Sequence, residues 1–210
     1  MMSQVRGGTR WKRFAVVMVP SVAATAAIGV ALAQGALAAS FSVSGQSFKV
    51  TADKLDGTGF VQYGAIDSGY NLDGSKTAHP VAVSGFKTAS LTNMCQSVVT
   101  PNIPLLGSVS LTLKAGGGGT PVQAENLYVD VEDLEADAVF HGIDIGVAAK
   151  DASKGPGIAK GDQANPYGFA QQADSATLTD VKQTAWATTA GTFKLSGLKM
   201  SLSKGVKECY

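Results

Sequence analysis

Beyond residue 13 this chain of 210 residues contains no arginine, and in all it has two cysteines and two histidines. Charged residues make up 16%, against about 25% in an average soluble domain. Each shortage excludes something. Without arginine or a basic cluster past the first residues, the chain lacks the means to read bases or neutralise a phosphate backbone, so no nucleic-acid partner is expected. Cys95 and Cys209 are far apart, with no C-x-x-C pair and few histidines to join them, which excludes a zinc site. The glycine run Gly116–Gly119 has no Lys-Ser/Thr after it and no helix to open, so neither a P-loop nor a dinucleotide fingerprint is present. No cofactor is expected. Past residue 33 there is no long apolar run and no helical heptad.

What the chain does have begins with a leader. Arg6, Arg10, Lys12 and Arg13 precede an apolar stretch, 14–33, which ends in "QGALAAS" with Ala36 and Ala38 in small-x-small spacing. This is the pattern of an export signal cleaved near Ala38 or Ala39. The alternative is a retained N-terminal membrane anchor over 14–33, since about twenty apolar residues also suffice to span a bilayer. Either way the protein is expected to be exported, secreted or held at the cell envelope. Four of the 17 basic residues lie in residues 1–38, so 13 lysines remain against 16 acidic residues, a formal net charge near −3. In an oxidising compartment Cys95 and Cys209 are expected to pair, closing a loop of 114 residues (209 − 95).

Residues 39–210 read as one β-rich domain: 25 glycines, many β-branched residues, and repeated apolar–polar alternation. The alternation changes phase. In "LYVDVEDLEADAVFHG" Leu127, Val129 and Val131 are odd, whereas Leu134 and Ala136 are even. In "FKVTADKLDGTGFVQYG" Phe48, Val50 and Ala52 are even, whereas Leu55 is odd. An offset of 79 superposes Val50 on Val129, Ala52 on Val131 and Leu55 on Leu134. A second pair, "VAVSGFK" and "FKLSGLK", flips phase at Ser84-Gly85 and Ser196-Gly197. Two related halves, about 41–114 and 121–210, are therefore expected. Each flip marks a β-bulge or a turn that keeps apolar residues on one side. The fold class is all-β, an antiparallel curved sheet, sandwich or open barrel built from two halves and preceded by a hydrophobic leader helix. The Gly/Pro-rich insertion 150–174 reads as a surface excursion.

The Arg-Trp-Lys-Arg-Phe leader, "LYVDVEDLEAD", the Ser-Gly-hydrophobic-Lys motif and the terminal "KECY" resemble a streptomycete-type family of exported actinobacterial proteins of uncharacterised function, often labelled cholesterol esterase. The likeness covers nearly the whole chain. It implies an envelope location and, through the label, an ester hydrolase.

The residues themselves supply little for hydrolysis. An esterase elbow is written GxSxG, and none occurs. His141 is the candidate base, with no serine singled out as its partner. Asp130, Glu132, Asp133, Glu135 and Asp137 are candidate calcium ligands, but the phase flip splits them between two registers, and a solvated polar face is the favoured reading. The strongest positive feature is an apolar face of Phe48, Val50, Leu55, Leu127, Val129, Leu134, Leu195, Leu198, Met200 and Leu202. It serves either as the folding core or as a groove for a lipid- or sterol-like ligand. The favoured function is a non-catalytic envelope protein binding such a ligand or a membrane-protein partner. A lipid or cholesterol-ester hydrolase and a structural envelope component are the alternatives.

Overall fold

The computed structural model describes residues 44–210. The expected leader, with its apolar stretch 14–33, lies outside the described residues. The alternating, glycine-rich sequence forms ten strands: β1 Phe48–Tyr70, β2 Lys76–Thr92, β3 Met94–Ile103, β4 Gly107–Ala115, β5 Val122–His141, β6 Asp144–Ala148, β7 Gln163–Ala164, β8 Phe169–Thr189, β9 Thr192–Lys194 and β10 Lys199–Lys204. All pairings are antiparallel. Among the described residues the only helix is a single 3-10 turn, Ala149–Asp151, and no helix is long and apolar enough to cross a membrane.

The pairing reduces most of these strands to four long runs. β1 is the first. β2 and β3 pair successive stretches of it, so they form a second run kinked at Asn93. β4 and β5 pair successive stretches of β3 and β2, forming a third. β8, β9 and β10 follow along β5 and β4 as a fourth. β8 then pairs β1 from Phe48↔Ala185 to Tyr63↔Ala170, which closes the ring. Of the architectures open at sequence level, the sheet takes a closed, barrel-like form.

The closure is strongly staggered. Following paired residues once around, from Gly64 to Ala82, Val131, Ala185 and back to β1, arrives at Phe48, sixteen residues (64 − 48) from the start. Stagger, tilt and width are linked in a barrel, and a large stagger lets few strands enclose space for side chains. Runs this oblique must be long and must bend.

The flips at Asp53-Lys54 and Glu132-Asp133 are such bends, whereas at Ser84-Gly85 the strand runs on unbent, with Val81 and Val83 on the outer side and Ser84 and Phe86 both facing the lumen. Inward residues along β1 are Val50, Ala52, Leu55, Gly57 and Phe60, with steps of three at Ala52→Leu55 and Gly57→Phe60. Their partners on β8, Val181, Leu178, Ala176 and Ala173, show the same steps, and the register is kept throughout. Both strands therefore turn together, and neither gains a residue on the other. Gly59 and Asp180, which sit within these steps, and Asn93 and Asn126 on the neighbouring runs all have left-handed backbone, φ +61°, +52°, +52° and +48°. Gly, Asn and Asp are the types that adopt it at least cost. The flip in "VEDLEAD" is a true bulge, with register shifts between β5 and β8 at Asp130/Val131, Val131/Asp133 and Glu135/Asp137.

Two apolar clusters result. The first fills the ring and includes Val50, Leu55, Phe60, Phe86, Leu91, Leu127, Val129 and Leu178. Gly57 lies on this side among Ala89, Ala124 and Ala176; a Cβ there would come within 2.3 Å of the Phe86 ring. The second cluster, Val61, Tyr63, Ala65, Val81, Val83, Ala149 and Ala170, is covered by the insertion, with Ala152, Ile158 and Ala164 packed against it. The insertion is thus a strap over a second core rather than a surface excursion, because beyond Phe60 the odd residues of β1 are apolar too. Gly155 of the strap is buried, and a Cβ on it would meet Val61 at 2.5 Å.

Three expected members of the inner face are not part of it. Leu198, Met200 and Leu202 are 46%, 64% and 73% exposed. Among the described strands β10 pairs with β4 alone, at a level beyond the start of β1, so the first run does not close the ring there and the face on which Met200 and Leu202 alternate stays open. Likewise Ser84-Gly85 lies within β2, whereas Ser196-Gly197 lies in the turn between β9 and β10.

Cys95 and Cys209 are joined. The bond holds the C-terminal tail against β3 and β4, where Ser97 accepts the Cys209 amide at 3.0 Å and Ser110 accepts that of Lys207 at 2.8 Å. Both serines are buried. Cys209→Ser is expected to lower stability by about 2–5 kcal/mol, read as a fall in the urea midpoint at constant slope. Gly57→Ala is expected to lose about 1–3 kcal/mol by forcing Phe86 aside.

Candidate functional site

The ring does not fill completely. It encloses a cavity of about 240 Å³ whose lining, among the described residues, has no charged side chain. Its middle is apolar. Phe60 lies between Phe86 and Phe140, with ring centroids 5.2 Å apart in both pairs. One end is polar but satisfied internally: Gln171 donates to Gln62 Oε1 at 2.6 Å, and Gln62 donates to Ser84 Oγ at 2.9 Å. Gln96 and Gln183, the partners of Val50 on either side, supply the other polar contacts with Thr188. Leu134 and Phe193 line the cavity while more than a third exposed, and mark its mouth.

Of the ten residues expected on the apolar face, Val50, Leu55, Leu127, Val129 and Leu134 line this cavity. Phe48 and Leu195 pack against its core from partly buried positions, and Leu198, Met200 and Leu202 lie elsewhere. The aromatic floor was not legible in the sequence, because Phe60, Phe86 and Phe140 come from three strands. His141 is exposed at the end of β5, opposite Ser175, and does not line the cavity.

The five acidic candidates all face outward, since the bulge that turns Leu134 inward turns the next acids out. Glu132, Asp133, Glu135 and Asp137 are exposed, and Trp186 Nε1 donates to Glu132 at 2.9 Å. Asp130 differs. It lies within side-chain hydrogen-bonding reach of Asp67 and close enough to Asp162 to feel its charge. Among the described residues no group of three His, Cys, Asp or Glu is arranged to hold a metal ion.

This trio joins β1, β5 and the strap. Tyr63 donates to Asp162 at 2.6 Å and accepts the Ala159 amide at 2.7 Å. Asp67 pairs across the ladder with His79, which stacks on Trp186 at 3.5 Å. Asp67 Oδ2 is buried and, among the described residues, has no donor. Two carboxylates in contact repel unless they share a proton. A proton on Asp130 supplies Asp67 with the donor it lacks. Burial, then the charges of Asp67 and Asp162, push Asp130 up to about 7. Burial likewise raises Asp67 and Asp162 above the ordinary carboxyl range, with His79 opposing at Asp67 and the Tyr63 hydroxyl at Asp162. Sequence reasoning missed this cluster, since Tyr63 and Asp162 are 99 residues apart and form no local motif.

The model of a family of unknown function, DUF6230, matches residues 44–210. The chain belongs to the DUF6230 family. The matched stretch contains the whole ring, the strap and the disulfide of this DUF6230 protein. No curated protein and no solved structure matches it.

The proton shared at Asp130 gives stability a definite pH dependence. A carboxyl raised in the folded state stabilises fully below its ordinary value, 3.8, and that contribution is lost as pH rises through about 7. Stability is therefore expected to fall by about 1–2 kcal/mol from pH 4 to 8 through this pair, whose interaction is weakened by solvent screening. Asp130→Asn keeps a donor for Asp67 without titrating. Urea unfolding across that range should show the slope in the wild type and a flatter profile in the variant.

Proposed function

We propose that this DUF6230 protein is an exported, non-catalytic cell-envelope protein that holds one slender apolar chain of lipid type inside its barrel. The observation that carries this reading is the uncharged, largely apolar lumen with a partly open mouth at Leu134 and Phe193. Enclosed apolar space with a few polar groups at its ends is the usual form of a small-molecule site. Its size chooses among ligands. About 240 Å³ lies below the roughly 300–1,000 Å³ of drug-sized pockets, which favours a single hydrocarbon chain over a four-ring sterol. The basic–apolar leader supports export, and a disulfide accords with an oxidising compartment.

The streptomycete-type exported proteins that the sequence resembles, and the cholesterol-esterase label they carry, would call for a base beside a nucleophile in the lumen. Ser84 is there, but the lining has no histidine or carboxylate, and the Ser84 hydroxyl is held by Gln62. Binding is therefore favoured over hydrolysis.

Native mass spectrometry with lipid extraction on the secreted protein is expected to show one apolar ligand per chain. Ala136→Trp, which places an indole in the lumen, should abolish it while circular dichroism stays unchanged. A wild-type protein that is folded, ligand-free and unable to take up a fluorescent fatty acid would refute the proposal.

A further inference from the structure

Where β1 begins, at Phe48, the ring loses its fourth wall, and β3, β4 and β10 project beyond it as a three-stranded arm. Paired residues of antiparallel strands share a face. The rows Val98–Leu111–Leu202 and Gln96–Leu113–Met200 therefore continue the inner face of the barrel onto an open surface. The opposite face is covered by the disulfide-held tail.

The tip of the arm is unusual. Ile103–Pro104–Leu105–Leu106 is a turn closed by Leu106 N–H to Ile103 O at 3.1 Å, with proline second and φ +67° at Leu105. A turn of this kind calls for glycine or asparagine in the third position. A leucine occupies it, 103% exposed, with Leu106 at 50% and Val206 of the adjoining tail at 64%. Backbone strain and apolar exposure thus coincide on one residue.

Charge says what would cover this surface. Residues 94–115 and 195–207 carry Lys114, Lys199, Lys204 and Lys207, and all sixteen acidic residues of the chain lie outside them. The four lysines are exposed, and none is ion-paired among the described residues. Lys204 shares the open face with Met200 and Leu202, whereas Lys199 and Lys114 stand opposite each other on the tail side of the arm, where Cys95 is. Exposed leucines beside lysines, on a protein otherwise acidic, fit the headgroup region of an anionic bilayer, where apolar side chains reach the acyl boundary and ammonium groups meet phosphates.

We infer that the β3–β4–β10 arm docks this protein on an anionic lipid surface through Leu105, Leu106, Lys204 and Lys207. Docking would place the open apolar face, and the lumen it leads into, next to lipid. It does not require the lumen to bind anything.

The test is co-sedimentation of the full chain with phosphatidylcholine vesicles with and without phosphatidylglycerol. Any adhesion through residues 14–33 is common to all variants and serves as the baseline. Binding above baseline is expected only with phosphatidylglycerol, to fall with added salt, and to be lost in Leu105→Asp/Leu106→Asp. Lys204→Gln/Lys207→Gln should weaken it about thirtyfold at low salt. These side chains are exposed, so the variants should keep the wild-type near-ultraviolet spectrum. Equal binding to both vesicle types, or binding that neither variant alters, would overturn the inference. So would a dimer that the leucine variant dissociates, with no vesicle binding, because the face would then belong to a second copy. Lipid extraction reads the lumen separately, so failure of one proposal is not mistaken for failure of the other.

Discussion

The structure depends on one constraint: four antiparallel runs must close a hydrogen-bonded ring with a stagger of sixteen residues (64 − 48). Backbone donors and acceptors buried in such a sheet have to be paired, so the ladder dictates the path of every run. With small stagger, four strands would leave no interior. With this one they enclose a core and a remaining cavity, provided each run is long and bends in step with its neighbour. Asn93, Asn126, Asp180 and Gly59 supply the bends by taking left-handed backbone that most residues avoid.

The outer surface follows from the same geometry. Past Phe60 the odd positions of β1 face outward yet are apolar, and the strap buries them. Closing the strap brings Asp162 to Asp67 and Asp130, where a proton takes the part that a cation plays in an ordinary ion pair. Below the start of β1 the ring lacks a wall, and the arm presents to solvent the kind of face that the barrel hides. Lumen, strap and arm are thus three outcomes of where the ring is closed, covered or left open.

Much of this was legible in the residues. Val50, Leu55, Leu127 and Val129 alternate because strands alternate, and the all-β class follows from them. The phase flips were visible at Asp53-Lys54 and Glu132-Asp133, although their form was not: concerted in β1 and β8, a bulge between β5 and β8. The acids of "DVEDLEAD" read as a solvated face, which holds for Glu132, Asp133, Glu135 and Asp137 but not for Asp130. Leu198, Met200 and Leu202 alternate as well as any core strand, yet face solvent. Alternation tells which residues share a side, and it is silent on whether anything lies against that side.

The sequence by itself determined the local quantities: strand formation, the bends at Asp53-Lys54 and Glu132-Asp133, and the two thiols available to pair. Each depends on a residue and its near neighbours, through steric preference and side-chain alternation. The tertiary structure alone decided ring closure, the aromatic floor of Phe60, Phe86 and Phe140, the carboxyl contact across β1, β5 and the strap, and the open face of β10. These depend on which distant segments share a ladder, and many pairings satisfy the same alternation equally well. Only the one that also satisfies the stagger, the bends and the buried hydrogen bonds together becomes the fold.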